Sequence, residues 1–329
     1  MRKTFVDTDC AIDDGIALAL LPPPALVTTV GGILTAQRAA VSAHRLFGGL
    51  SAKAAGLDPP NEFSPIAAWA AGYRARCERM LDDIAVPARE AEDAPRAREC
   101  AEHGAAFGIA GHADAASALI AAVALQPGAT LVCLGPLSNV AEALRREPRV
   151  LHGLSELIIL GGAVRRPGSA PHGAEWNMWF DPAAAARVFA AAAAAGTRLV
   201  LLSNDVANDD AINVHAPLVR ALCEPVECKL PAAPLAPAGE DRAAARAYRQ
   251  CVARRLVALQ PEALTMDPLA AALVLRPSIF ELQLAHVCVD ERTGVTAECA
   301  AGRGTAVQLA VRIDCGEYER LLRDELLCS

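Results

Sequence analysis

Short apolar runs alternate along this chain with longer alanine-rich stretches, and each run stops where glycine, asparagine or aspartate begins. Runs of that length bounded by turn residues read as strands. They fall at Thr4 to Val6, Ala25 to Val30, Thr130 to Leu134, Leu157 to Leu160 and Arg198 to Leu202. Strands separated by helical stretches predict crossover helices on an α/β scaffold, an open and mostly parallel sheet flanked by helices. Ligands of such sheets collect at the carboxyl ends of the strands. The stretch Pro182 to Ala195 is nearly all alanine, and Asp181 followed by Pro182 supplies an N-cap and a first-turn proline, so a packed helix is expected there. Ala88 to Glu102 is charged and helix-like, whereas Leu230 to Asp241 is proline-rich and reads as a loop before a helix starting near Arg242. Neither divides the chain, no repeat is visible, and a single domain over residues 1–329 is expected.

Composition narrows the setting. With 53% hydrophobic and 21% charged residues the chain reads as a globular protein. A net charge of -7, with arginines scattered rather than clustered, gives no general attraction for nucleic acid. The opening MRKTFVDTDCAIDD meets four aspartates before a signal-peptide apolar region can develop. Apolar runs such as Leu157 to Ala163 fall far short of the roughly 20 residues of a membrane helix. A cytoplasmic location with no membrane partner is therefore expected. Eleven cysteines, spread from Cys10 to Cys328 without paired CxxC spacing, read as reduced buried thiols rather than a zinc site. Cys10 stands apart because it lies inside an acidic motif.

That motif, VDTDCAIDD, is the strongest chemical signal. Asp7, Asp9, Asp13 and Asp14 crowd the end of the first strand, an arrangement that costs free energy unless a cation or strong donors compensate. A hard divalent ion bound by oxygen ligands fits best. A phosphatase of the DxDxT type is a second reading, but Ala11 stands where the threonine belongs. A third is a helix N-terminus carrying Asp13 and Asp14 for dipole and capping reasons.

The segment DTDCAIDDGIALAL resembles the N-terminal signature of the inosine-uridine-preferring nucleoside hydrolases, DxDxGxDDxxA. Further segments resemble that family in its order: LVCLGPLSNVAEAL at 131–144 its GPLTN segment, LGGAVRRPG and AEWNMWFDPAAAARVF its GGA and EFNxxxDPxAA segments, and MDPLAAALVL at 266–275 its HDPLA segment. The resemblance implies a Ca2+ ion held by Asp9, Asp14, the carbonyl of Leu134 and Asp267. It also implies hydrolysis of the N-glycosidic bond of a ribonucleoside, with calcium-bound water attacking the anomeric carbon and Asp13 as general base. Glu175 and Asn177 match side chains that bind ribose hydroxyls, and the resemblance suggests homodimers or homotetramers.

Departures from the family pattern bear on turnover. Met266 replaces the histidine before the DP pair, and methionine cannot donate a proton to a leaving base. Ile33 stands for an asparagine after the second strand, and Ser169 for another. Ala11 replaces the signature glycine, a source of strain if that position requires positive φ. His103 resembles a histidine of a loop near the base, although Ala106 and Phe107 follow it where acidic and glycine residues are usual. His172 and Tyr248 are further candidate proton donors, and Trp176 and Trp179 are candidates to stack a base, Trp179 doubling as core packing. Two functions stay open: an active hydrolase of nucleosides or related N-ribosides, and a homologue of the same fold that binds calcium and ribose with little or no turnover.

Overall fold

A computed structural model describes residues 2–47, 52–55, 75, 77, 79, 114–207, 216–224 and 242–327. His103, the Ala88 to Glu102 stretch and the Leu230 to Asp241 loop lie outside the described residues.

The expected strands form, each within a few residues of its apolar run. They are β1 (Thr4–Thr8), β2 (Leu26–Thr29), β4 (Ala129–Cys133), β5 (Leu154–Leu160) and β6 (Arg198–Leu202), and β3 (Ala52–Ala55) joins them. Near the C-terminus come β7 (Phe280–Val289), β8 (Thr296–Glu298) and β9 (Thr305–Ile313). All belong to one sheet in the order β3-β2-β1-β4-β5-β6-β9-β7-β8. Pairing is parallel from β3 through β9, while β7 runs antiparallel to both β9 and β8. The last three strands escape a search for βαβ alternation because they follow one another without a crossover helix.

Alternation along each strand divides the core between the two faces of the sheet. Val6, Val27, Val132, Ile158 and Val200 face one layer of helices, and Phe5, Leu26, Leu131, Leu157 and Leu199 face the other. The first layer contains α1 (Ile12–Leu20), which packs against two helices from the far end of the chain, α8 (Arg242–Leu259) and α9 (Pro268–Leu275). The opposite layer includes α3 (Ala115–Leu125), α4 (Ser138–Arg146) and α6 (Pro182–Ala195). Helix α6 has the predicted bounds, and its cap is as expected: Asp181 Oδ1 accepts the Ala184 N–H at 3.1 Å. The other oxygen of Asp181 accepts the Ser138 hydroxyl at 2.6 Å and so ties α6 to the start of α4. The remaining helices are α2 (Ala36–Phe47), α5 (Trp176–Phe180), α7 (Ala216–Cys223) and α10 (Cys315–Leu326).

Two features of this topology place the site. The strand order turns back between β1 and β4, and ligands of doubly wound sheets lie at such a switch point, outside the carboxyl ends of the strands. The packing of α1 against α9 then carries Asp267, at the N-terminus of α9, toward the start of α1. No helix among the described residues is long and apolar enough to cross a membrane. The cysteine expectation needs one correction: Cys133, Cys223, Cys288 and Cys299 are free thiols, but Cys251 is disulfide-bonded.

Candidate metal and active site

Strand β1 delivers its acidic residues through a sharp turn. Cys10 takes a left-handed backbone, φ 56°, with its N–H on the Thr8 hydroxyl at 3.0 Å, and the chain then enters α1. Ala11 sits at φ -72°, so the strain expected at that position is absent; it falls on Cys10 instead, and alanine serves where the family has glycine. The Asp14 carboxylate accepts the Ala11 N–H at 3.1 Å, closing the first turn of α1, and also receives the Thr8 hydroxyl.

Asp9 is held from the loop that follows β2. Its Oδ2 accepts the Ile33 N–H at 2.7 Å. The residue in place of the family's asparagine thus serves the site through its backbone. Gly32 leaves room for this carboxylate, since a Cβ there would lie 2.0 Å from Asp9 Oδ2. Gly135, just beyond the end of β4, also passes close: a Cβ there would lie 3.0 Å from the Asp9 nitrogen. Leu134 O accepts the Asn177 side-chain amide at 2.9 Å, and the same amide reaches Leu160 O at 3.1 Å.

The carboxyl groups of Asp13, Asp14 and Asp267 converge, each offering an oxygen within 4.8 Å of the others. Asp9, Asp14 and Asp267 are buried, whereas Asp13 is half-buried. Burial followed by the Asp14 charge raises the pKa of Asp9, and burial followed by the charges of Asp14 and Asp13 raises that of Asp267. Burial and the Asp9 charge lift Asp13 to about 7. Asp14 rises to about 6 through burial and the Asp13 charge, despite hydrogen bonds from its neighbours. No arginine, lysine or histidine among the described residues forms an ion pair with any of them. A set of converging carboxylates, with no cation among the described residues to neutralise it, fits a hard divalent ion.

A second layer, built on Asp7 and on partners that the sequence reading did not assign, supports these groups. Asp7 is buried; its Oδ1 accepts the Thr28 hydroxyl at 2.6 Å and the Asn139 amide at 2.8 Å, and burial raises its pKa to about 7. Asn139 also reaches Thr29 O at 3.0 Å, stapling β1, β2 and α4 together at the switch point. The sequence reading grouped Asp7 with the other three acids as needing a cation or strong donors; the structure gives it donors, one of them the asparagine of GPLSN, which was quoted without a role.

The remaining candidates differ in setting. Glu175 is buried at the N-terminus of α5; its Oε1 accepts the Asn177 N–H at 2.9 Å, and its Oε2 accepts Gly162 N–H at 3.0 Å and Met178 N–H at 3.2 Å. It thus pins α5 to the loop after β5. Ser169 is exposed on that loop, which is tied back to the segment before Glu175 by Ala170 N–H to Ala174 O at 3.0 Å. Met266 is half-buried immediately before Asp267. His172 is exposed and takes a left-handed backbone, φ 62°. Tyr248 packs partly buried against the core beneath α1. Trp176, Trp179 and Phe180 form an aromatic cluster, with Trp176 5.7 Å from Trp179 and 5.4 Å from Phe180 between ring centres.

A doubly wound α/β sheet with an acidic, oxygen-lined cluster at its switch point defines a metal-binding class of protein. Residues 4–320 match the family model for inosine-uridine preferring nucleoside hydrolases, and the chain belongs to that family. Among curated relatives, the non-specific ribonucleoside hydrolase RihC of Salmonella schwarzengrund is 27% identical over 207 residues, 61% of this chain and 60% of that protein. The pyrimidine-specific ribonucleoside hydrolase RihB of Escherichia coli O1:K1 is 40% identical over 79 residues, 24% of each chain. The chain thus matches less than two thirds of the length of these relatives. The inosine-uridine preferring nucleoside hydrolase from Bacillus anthracis superposes with a TM-score of 0.69 at 19% identity, covering 99% of both chains. The purine-preferring ribonucleoside hydrolase from Gardnerella vaginalis gives 0.69 at 19%, covering 99% of this chain and 98% of that one.

Proposed function

We propose that this protein hydrolyses the N-glycosidic bond of a ribonucleoside or related N-riboside to free base and ribose, with Ca2+ in the carboxylate cluster. The observation that supports this reading is the meeting of Asp13 and Asp14 with Asp267 within 4.8 Å, from opposite ends of the chain. Asp9, Asp14, Asp267 and the Leu134 carbonyl would hold the ion. When bound, calcium supplies Lewis acidity that makes water a better nucleophile and orients sugar hydroxyls. Asp13 accepts the proton of the attacking water: it is half-buried and so open to substrate, and its carboxylate stands beside the other acids of the cluster.

The sugar is held beside the cluster by Asn177 and Glu175. Asn177 spends its amide N–H bonds on Leu134 O and Leu160 O, which aims its Oδ1 as an acceptor for a ribose hydroxyl. Glu175 Oε1 accepts the Asn177 N–H and, as a carboxylate oxygen, can also accept a second hydroxyl. Ser169, Met266 and His103 complete the substrate contacts in this reading. Met266 cannot protonate a departing base, and general acid catalysis is worth roughly 10² to 10⁴ in rate, so turnover is confined to bases that leave readily. The whole chain acts as one domain, in the cytoplasm, in a homodimer or homotetramer. A calcium- and ribose-binding homologue without turnover is the alternative that the Met266 substitution favours. Incubating the protein with a nucleoside panel separates the two: free ribose supports hydrolysis, and saturable binding without reducing sugar supports the alternative.

A further inference from the structure

Away from the acidic site, two thiols meet at the edge of the sheet. Cys288 lies near the end of β7 and Cys299 directly follows β8; both are free and half-buried, with Sγ atoms 2.7 Å apart. Strand pairing produces the meeting. Cys288 is opposite Ala297, and the Cys299 N–H donates to His286 O at 2.8 Å. Side chains two apart on a strand share a face, so Cys299 is the diagonal neighbour of Cys288. Because β8 ends at Glu298, the backbone at Cys299 can bend the thiol inward.

The hairpin that these thiols close leans on the walls of the site. Asp290 Oδ1 accepts the N–H groups of Arg292 at 3.0 Å and Thr293 at 2.8 Å, ordering the turn. The tip then lies on α5, where a Cβ at Gly294 would fall 2.4 Å from Met178 O. Thr296 Oγ1 accepts the Ala163 N–H at 2.7 Å, and Glu298 pairs with Arg165 at 3.0 Å. Loop 161–165 and α5 are the segments that Glu175 joins and that carry Asn177. The hairpin therefore buttresses the wall on which both side chains stand.

We propose that Cys288 and Cys299 form a reversible disulfide that fastens this hairpin and stiffens the loop and helix it supports. The oxidant is a low-molecular-weight disulfide. One cysteine, its proton lost to solvent, attacks a sulfur of the oxidant, giving a mixed disulfide and releasing one small thiol. The second cysteine then attacks the protein sulfur of that mixed disulfide and expels the second small thiol. The protein loses two hydrogens, the oxidant gains them as two thiols, and a reducing dithiol reverses the exchange. The inference holds whether or not the chain is a hydrolase.

Peptide mapping tests it directly. The intact protein is equilibrated with oxidised or reduced glutathione, alkylated, and digested with trypsin, which cuts after Arg292 and so separates the two cysteines. The oxidised sample should yield the Cys288 and Cys299 peptides joined, and the reduced sample should yield each alkylated. Amide hydrogen exchange in 161–165 and 176–180 should slow on oxidation, and the slowing should vanish in Cys288→Ser and Cys299→Ser. Alkylation of both thiols in the oxidised sample, or pairing of either with glutathione or another cysteine, would overturn the bond. Unchanged exchange would overturn its effect on the wall. The wild-type map decides the first point even if a serine variant fails to fold.

Discussion

At the scale of single residues, the site depends on space and on donors as much as on its carboxylates. Asp9 occupies its position because Gly32 has no side chain, and a methyl group there would overlap Asp9 Oδ2. Gly32→Ala should therefore weaken calcium binding by about 10- to 100-fold, the usual cost of disturbing a group that orients a ligand. Titration calorimetry would show it, and an unchanged affinity would mean that Asp9 is not a ligand. Asp9→Ala should abolish calcium binding altogether. Asp13→Ala should keep much of that binding and lose turnover; normal hydrolysis by both variants would refute the roles given to them. Asn139 acts one layer out. Removing its amide in Asn139→Ala leaves the buried Asp7 carboxylate with the Thr28 hydroxyl alone, a loss of about 1–3 kcal/mol that urea unfolding can measure.

At the scale of elements, the parts of the fold legible in the sequence were those with local causes. Helix α6 was readable to the residue because its cap, its proline and its alanine run are all local, and β6 because a turn residue ends its apolar run. Strands β7 to β9 were not, since their half-exposed pattern becomes informative only once they pair with one another. The acidic residues of β1 and α1 were plain in the motif, yet their meeting with Asp267 rests on the packing of α1 against α9, which residue types alone do not encode. Glu175 shows the converse. It was expected to face the sugar, and its carboxylate also holds three backbone N–H groups of α5 and the loop after β5. Glu175→Ala should consequently cost stability as well as activity, about 1–3 kcal/mol for the donors left unpaired. A variant that lost activity at full stability would assign the residue to substrate alone.

At the scale of the whole molecule, the cluster should make stability depend on the proposed ion. Buried carboxylates that repel one another favour the folded state when a cation joins them and oppose it when the cation is withdrawn. At calcium concentrations 100-fold above the dissociation constant, binding should stabilise the fold by about 2.7 kcal/mol, visible as a melting temperature that falls on chelation and recovers on adding calcium. The measurement that reaches the central claim most directly is a reducing-sugar assay across purine and pyrimidine nucleosides, run with calcium and again with a chelator. Ribose release that disappears with the chelator and returns with calcium is the predicted result. Release that persists undiminished without metal would contradict the account.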